Sequence, residues 1–287
     1  MFSHIKLAVA SGKGGTGKTT VSTALACALA KNSPTTIIDC DVEEPNAQLL
    51  LGSKFDTEYE ALVPSISVDN TKCIGCGKCA KVCRFNSIAC LGTDKGTLFF
   101  PELCHSCMGC VIACPVNAIT ESQKSPGKIR IANSEDLNLV SGLLNVGQAM
   151  STGLIESIKV LSKTDITIFD SPPGTSCAML ATVRECDFTI LVTEPTPFGF
   201  NDLKLAVRAL KNQKLQFGVV VNRSTKDSTI IDDYCKAEQI DIISKIDDSI
   251  EVAKCYSNGL QPYNHNTNFA NSIDKIVNYI SSIGGEK

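Results

Sequence analysis

Apolar residues in this chain come in short runs. Ile5 to Ala10 stops at a glycine-rich stretch, and Thr35 to Asp39 starts just after Pro34. Ile166 to Phe169, Thr189 to Val192, Phe217 to Val221 and Asp241 to Ile246 follow later. Each has the length and near-continuous apolarity of a strand buried on both faces. Between them, Thr16 to Ala30, Cys177 to Glu185, Asn201 to Asn212, Ser228 to Glu238 and Asp248 to Ser257 carry helical patterning. Ile273, Ile276, Val277 and Ile280 recur at helical spacing and predict a closing helix packed on the sheet. Strands alternating with helices predict an α/β fold around a mostly parallel sheet covered on both faces.

One stretch breaks this rhythm. Eight of the 15 cysteines lie between Cys73 and Cys114. Cys73, Cys76, Cys79 and Cys83 map onto Cys104, Cys107, Cys110 and Cys114 at a constant offset, which also carries Asn86 onto Asn117 and Ile88 onto Ile119. So regular a self-similarity predicts a small unit duplicated within itself. The expected organisation is an α/β domain in two parts, 1–64 and 126–287, with a small α+β domain at 65–125 inserted between them.

Composition narrows the setting. The net charge is -3, with 43% hydrophobic and 20% charged residues, the profile of an ordinary globular chain. There is no basic excess of the kind general nucleic-acid binders carry. No apolar run reaches the roughly 18 residues that span a membrane, and the first residues lack the h-region of a signal peptide. A cytoplasmic location is expected, where disulfides are rare. The cysteines therefore need another explanation.

Residues Gly12 to Thr20 read GKGGTGKTT, the P-loop pattern G-x-x-x-x-G-K-[ST] set between a predicted strand and a predicted helix. Gly12, Gly14, Gly15, Thr16, Gly17, Lys18, Thr19 and Thr20 form the candidate phosphate cradle. Backbone N–H groups of the loop and the helix N-terminus attract phosphate oxygens. Lys18 supplies a point charge to the β- and γ-phosphates, and the Thr19 hydroxyl is the expected Mg²⁺ ligand.

The extra lysine, Lys13, makes the loop resemble the deviant Walker A motif of the MinD/ParA branch of P-loop ATPases, to which the nitrogenase iron protein also belongs. The resemblance implies that Lys13 reaches across a dimer interface to the partner's ATP, acting as an arginine finger does. Asp39-Cys40-Asp41-Val42-Glu43-Glu44-Pro45-Asn46 resembles the family's switch I, which implies that Asp41 orients the attacking water or accepts a proton from it and that Asp39 sits near Mg²⁺. Ile168-Phe169-Asp170-Ser171-Pro172-Pro173-Gly174-Thr175 resembles the Walker B and switch II segment, with Asp170 holding the Mg²⁺ shell through water and Gly174 permitting movement. Asn222 stands where the family places an adenine-contacting asparagine; a loop-capping role is the other reading. The resemblance covers residues 1–60 and 130–287.

The run C-x₂-C-x₂-C-x₃-C, present twice, is that of bacterial ferredoxins that hold two [4Fe–4S] clusters, the fourth cysteine of each run serving the other cluster. Cys73, Cys76, Cys79 and Cys114 are the expected ligands of the first, and Cys104, Cys107, Cys110 and Cys83 of the second. Zinc needs only four ligands and gives no reason for the third cysteine or for the duplication. Cys27, Cys40, Cys90, Cys177, Cys186, Cys235 and Cys255 read as small buried hydrophobes. Cys177 lies seven residues after Asp170, in the region where the nitrogenase iron protein carries a cluster cysteine; a buried structural thiol is the expectation here.

The whole therefore resembles a MinD-type ATPase with an inserted ferredoxin. The expected cofactors are ATP, Mg²⁺ and two [4Fe–4S] clusters. The expected partners are a second copy or a related ATPase, joined through ATP, and a redox or cofactor-assembly protein, with no nucleic acid and no membrane anchor. The leading expectation is ATP-coupled electron delivery. An ATPase for iron–sulfur or metal-cofactor assembly is the first alternative, and a MinD/ParA-like positioning protein with redox-sensing clusters the second.

Overall fold

The computed structural model describes residues 4–93, 95–225 and 229–284. Ser228, where the sequence pattern starts one helix, lies outside them. The chain runs β1 (Ile5–Ala10), α1 (Lys18–Ala30), β2 (Thr35–Asp39), α2 (Ala47–Leu51), β3 (Thr57–Glu60) and β4 (Val63–Val68). Next come α3 (Lys78–Val82), β5 (Ile88–Cys90), β6 (Thr97–Phe99), α4 (Gly109–Ala113), β7 (Ile119–Lys124), β8 (Gly127–Ala132) and β9 (Leu137–Leu144). Then follow α5 (Thr152–Lys159), β10 (Ile166–Asp170), α6 (Cys177–Val183), β11 (Phe188–Thr193) and α7 (Pro197–Asn212). The chain closes with β12 (Phe217–Ser224), α8 (Ile230–Glu238), β13 (Ile242–Asp247), α9 (Ile250–Ser257), α10 (Pro262–His265) and α11 (Thr267–Gly284).

Nine strands form one sheet in the order β13-β12-β11-β1-β10-β2-β9-β8-β3. The pairings from β13 through to β9 are parallel, and only β9–β8 and β8–β3 are antiparallel. Side chains of a strand alternate between faces, and here both faces are covered. Leu7 and Val9 of β1, with Ile37 and Ile168, join Val21, Leu25 and Leu29 of α1 and Ile273, Ile276 and Ile280 of α11 on one side. Ala8, Ala10, Ile38, Phe169 and Leu191 meet Leu154 and Ile158 of α5, Met179 of α6 and Leu203, Val207 and Leu210 of α7 on the other. Burial on both faces is why these strands read as continuous apolar runs.

The antiparallel edge is what the hydrophobic pattern did not reveal. β8 alternates apolar with polar residues from Lys128 to Ile131, β9 has its apolar residues interrupted by Asn138, Ser141 and Gly142, and β3 reads Thr-Glu-Tyr-Glu with all four residues exposed. Only two residues separate β3 from β4, and two separate β7 from β8. β4 and β7 pair antiparallel over six residues each, from Val63 opposite Lys124 to Val68 opposite Ile119. The cysteine-rich segment is thus carried on a two-stranded stalk that prolongs the β3–β8 edge.

At the far end of the stalk, Ile66 of β4 and Ile119 of β7 form a separate small apolar cluster with Cys79, Ile88 and Cys110. The internal repeat is written into its backbone. Helix α3 at 78–82 and helix α4 at 109–113 stand at the offset of the cysteines. So do three pairs of left-handed residues: Gly75 and Ser106, Gly77 and Met108, Asn86 and Asn117. Ser106 and Met108 adopt φ of 57° and 58° where the first half has glycine, a conformation disfavoured for residues with a Cβ. None of the 15 cysteines forms a disulfide.

Candidate functional site

The loop from Gly12 to Thr20 joins β1 to α1 at the carboxyl ends of the parallel strands, where open α/β sheets bind ligands. Two of its glycines are forced by close approach. A Cβ on Gly12 would stand 2.2 Å from the backbone oxygen of Asp202 in α7. On Gly17, with φ at +85°, it would stand 2.2 Å from Nδ2 of Asn222. Gly15 also has positive φ, at +80°. Gly14 faces Pro173 across van der Waals distance.

Lys18, at the first turn of α1, is buried and its Nζ lies 3.2 Å from Oδ1 of Asp170 at the end of β10. β2 lies next to β10, so Asp39 stands opposite Asp170 in register. Both oxygens of Asp39 hold the following loop. Oδ1 accepts from the Asp41 N–H at 3.1 Å, and Oδ2 accepts from the Asn46 and Ala47 N–H groups at 3.0 Å each. Asp39 thereby shapes the candidate switch loop and caps the short helix α2.

Charge at this spot is unbalanced. Burial drives the Lys18 ammonium towards neutrality, but Asp170, Asp41 and Asp39 outweigh it and hold the pKa above the ordinary lysine value. Burial and the neighbouring Asp170 push Asp39 up to about 7, against the N–H of Ala47 and the charge of Lys18. Burial pushes Asp41 up to about 6, Lys18 opposing. Three carboxylates around one lysine leave room for a cation. Oδ2 of Asp170 and Oγ1 of Thr16 are buried without a hydrogen-bond partner among the described residues. An unpaired carboxylate oxygen and an unpaired loop hydroxyl fit the donors that Mg²⁺ and a phosphate require. Thr19 and Thr20 follow Lys18 in the first turn of α1, and their carbonyls accept from Thr23 Oγ1.

Lys13 is partly exposed, and its Nζ lies 3.5 Å from Oε2 of Glu194. The other oxygen of Glu194 accepts from Arg223 at 2.7 Å. Glu194 is itself buried, so one carboxylate holds two cations beside the loop. No motif in the sequence singles it out; only the end of β11 beside the loop brings it there. Asn222 donates its Nδ2 to the Thr16 carbonyl at 2.7 Å, which makes it a brace of the loop in this structure.

The thiols are gathered by the repeat. Cys73, Cys76, Cys79 and Cys114 line one recess, together with apolar groups such as Val68 and Ile119. Cys104, Cys107 and Cys110 stand near enough for their charges to interact, and helix α3, which Cys83 follows directly, packs on α4. The fourth cysteine of each run has matching surroundings. Burial pushes Cys83 up, but the Ser87 hydroxyl at 3.1 Å and the N–H groups of Phe85, Ser87 and Ile88 bring it below the usual thiol value. Burial likewise acts on Cys114, and N–H groups of Val116, Ala118, Ile119 and Asn117 overcome it. Sulfurs receiving several N–H groups suit thiolate ligands of iron–sulfur clusters, so the donor set fits the group.

Two of the remaining thiols depart furthest from the sequence expectation. Cys177 is exposed at the start of α6, not buried, because the helix turns that residue away from the sheet. Cys90 is half-buried and joins the wall of the first thiol recess. Cys40 and Cys235 are buried as expected, while Cys27, Cys186 and Cys255 are half-buried. No described helix is long and apolar enough to cross a membrane.

A doubly covered, mostly parallel sheet, with a lysine-rich P-loop after its first strand and acidic residues closing the next two strands on one side of it, defines a P-loop ATPase of the MinD/ParA class. The chain belongs to the CobQ/CobB/MinD/ParA nucleotide binding domain family, whose model matches residues 7–263. An uncharacterized protein of Methanocaldococcus jannaschii is 32% identical over 252 residues, covering 81% of this chain and 90% of that one. An uncharacterized ferredoxin of the same organism is 38% identical over 65 residues, covering 22% of this chain and 84% of its own length. An iron–sulfur cluster carrier protein of Pyrococcus abyssi is 26% identical over 251 residues, covering 84% of this chain and 67% of that one. Among solved structures, the septum site-determining protein MinD of Pyrococcus horikoshii, complexed with Mg-ADP, matches with a TM-score of 0.63 at 18% identity. That match covers 99% of this chain and 100% of the other.

Proposed function

We propose that this protein is an ATP-driven iron–sulfur protein that delivers electrons to a partner, with residues 65–125 as its ferredoxin domain and the flanking segments as its nucleotide switch. In this reading the loop N–H groups and Lys18 bind the phosphates, and Thr19 with Asp170 holds Mg²⁺, Asp170 through water. Asp41 orients the attacking water, while Asp39 shapes the loop that carries it. Lys13 leaves Glu194 and reaches the nucleotide of a second copy. Asn222 braces the loop and stands beside the base. The two [4Fe–4S] clusters, when bound, supply one-electron carriers whose potential depends on the thiolates, their N–H donors and exposure. Each draws three ligands from one half of the repeat and the fourth from the other.

The observation that carries the coupling is the stalk. β2, which ends at Asp39, pairs with β9; β9 pairs with β8, and β8 with β3. β3 and β8 continue almost directly into β4 and β7, which bear the thiol unit. Movement of the loop after β2 therefore has a route to the thiols through paired strands and then the continuous backbone, and Gly142 of β9 leaves space for Val42 of that loop. Release of switch contacts on hydrolysis is the standard means of such a movement.

A second reading, an ATPase that carries clusters to other proteins, is favoured by the likeness to the Pyrococcus abyssi carrier. One experiment separates the two. The chain is purified anaerobically, its iron and sulfide are counted, and potentials are measured with and without Mg·ATP. About eight irons per chain and potentials that move with nucleotide are expected for electron delivery. Fewer than about six irons overturns the two-cluster assignment. Loss of clusters to an apo-ferredoxin under ATP, with unmoved potentials, selects the carrier.

A further inference from the structure

The first thiol recess has five sulfurs in its wall where a [4Fe–4S] cluster needs four. Cys73, Cys76, Cys79 and Cys114 are joined there by Cys90. Cys90 ends β5, opposite Thr97 of β6. The Thr97 hydroxyl lies 3.4 Å from the sulfur of Cys73, so the hairpin that carries Cys90 abuts the first ligand of the run. A thiol serving only as a small hydrophobe needs no place among four sulfurs, whereas one able to bind iron does. Cys90 and Cys73, brought together at Thr97, stand as alternatives for one place.

The duplication sharpens the point. Residues 88 and 119 correspond, so the counterpart of Cys90 is Glu121, an exposed residue on the stalk strand β7. The second site has no fifth thiol at that place. Whatever Cys90 does belongs to the first site alone.

Resting on the two-cluster reading above, we infer that Cys90 is an exchange ligand of the first site, able to take the iron held by Cys73. In the exchange one Fe–S bond to Cys73 breaks and one to Cys90 forms, the Cys90 proton passes to the released Cys73 sulfur, and no iron changes oxidation state. The first cluster thereby survives loss or blockage of Cys73, whereas the second does not survive loss of Cys104, its repeat counterpart.

The test uses the full chain, reconstituted anaerobically with iron and sulfide, in five forms: native, C73A, C104A, C90A and C73A/C90A. Readouts are iron per chain and the electron paramagnetic resonance signal of a three-iron cluster after mild oxidation. The native chain must hold about eight irons; if it does not, the two-cluster reading fails, whatever Cys90 does. With eight in the native chain, C73A is expected to keep its iron, while C104A and C73A/C90A lose at least one iron per chain and show the three-iron signal. C73A losing as much iron as C104A overturns the inference, as does C73A/C90A matching a fully loaded C73A. Nucleotide binding and circular dichroism verify that each variant is folded. If C73A does not fold, C90A decides: a chelator is expected to strip its first site several-fold faster than the native one, and an unchanged rate overturns the inference.

Discussion

Replacing Lys18 by Met tests how the nucleotide site is held before nucleotide arrives. The Lys18 ammonium and the Asp170 carboxylate are both buried, 3.2 Å apart, and Oδ2 of Asp170 has no other described partner. Removing one partner of a buried pair leaves a charge without compensation, a loss of about 3–5 kcal/mol. Asp39 stands one strand away and adds repulsion once the cation is gone. With an unfolding entropy near 0.6 kcal/mol per kelvin for 287 residues, Tm of the nucleotide-free chain is expected to fall by about 5–8 °C. Protonation of Asp39, whose pKa is already raised to about 7, relieves the repulsion, so the deficit should shrink at pH 5. Removing both partners avoids the stranded charge, so Lys18→Met with Asp170→Asn should recover most of the loss. The assay is calorimetry of native, single and double variants without nucleotide, at pH 5 and pH 7.5. Two results refute the reasoning: an unchanged Tm in the single variant, or a double variant as unstable as the single one at pH 7.5.

Three further outcomes follow from the same geometry. Gly12→Ala drives a Cβ into the Asp202 carbonyl, so α7 must move; a loss of about 1–3 kcal/mol in chemical denaturation is expected, together with weaker nucleotide binding. Glu194→Gln removes the charge that holds Lys13 and Arg223 together; a loss of about 1–2 kcal/mol is expected in the nucleotide-free chain, measured by urea unfolding. Asp41 has a folded pKa raised to about 6, so the folded chain binds more protons than the unfolded one between pH 4 and 6. Its contribution to stability therefore falls as pH rises through that window, and Asp41→Asn should flatten the decline in Tm measured without nucleotide across it.

The central strands show what kind of structure is legible from a sequence. β1, β2, β10, β11 and β12 are buried on both faces, so their composition alone sets them apart from the helices between them. β3 and β8, at the antiparallel edge, escape because they are partly or wholly exposed and because antiparallel pairing leaves no helix to mark the connection; β9 escapes because Asn138, Ser141 and Gly142 interrupt its apolar run although both its faces are covered. The P-loop is legible because phosphate binding demands a fixed spacing of glycines and lysine. Glu194 and the hydrogen bonds of Asp39 are not, since they depend on which strand ends lie side by side.

The cysteines mark the same division. By itself the sequence determined the doubled run, its offset and the two halves it relates, because ligand spacing and duplication are one-dimensional facts. The offset recurs in the placement of α3 and α4 and in three pairs of left-handed residues. Only the tertiary structure decided which lone thiols stand near the others. Cys90 and Cys177 carry no motif, yet one enters a recess of four other sulfurs and the other faces solvent. The difference comes from β5 folding against β6 and from the way α6 sits on the sheet, contacts made between residues far apart in the chain.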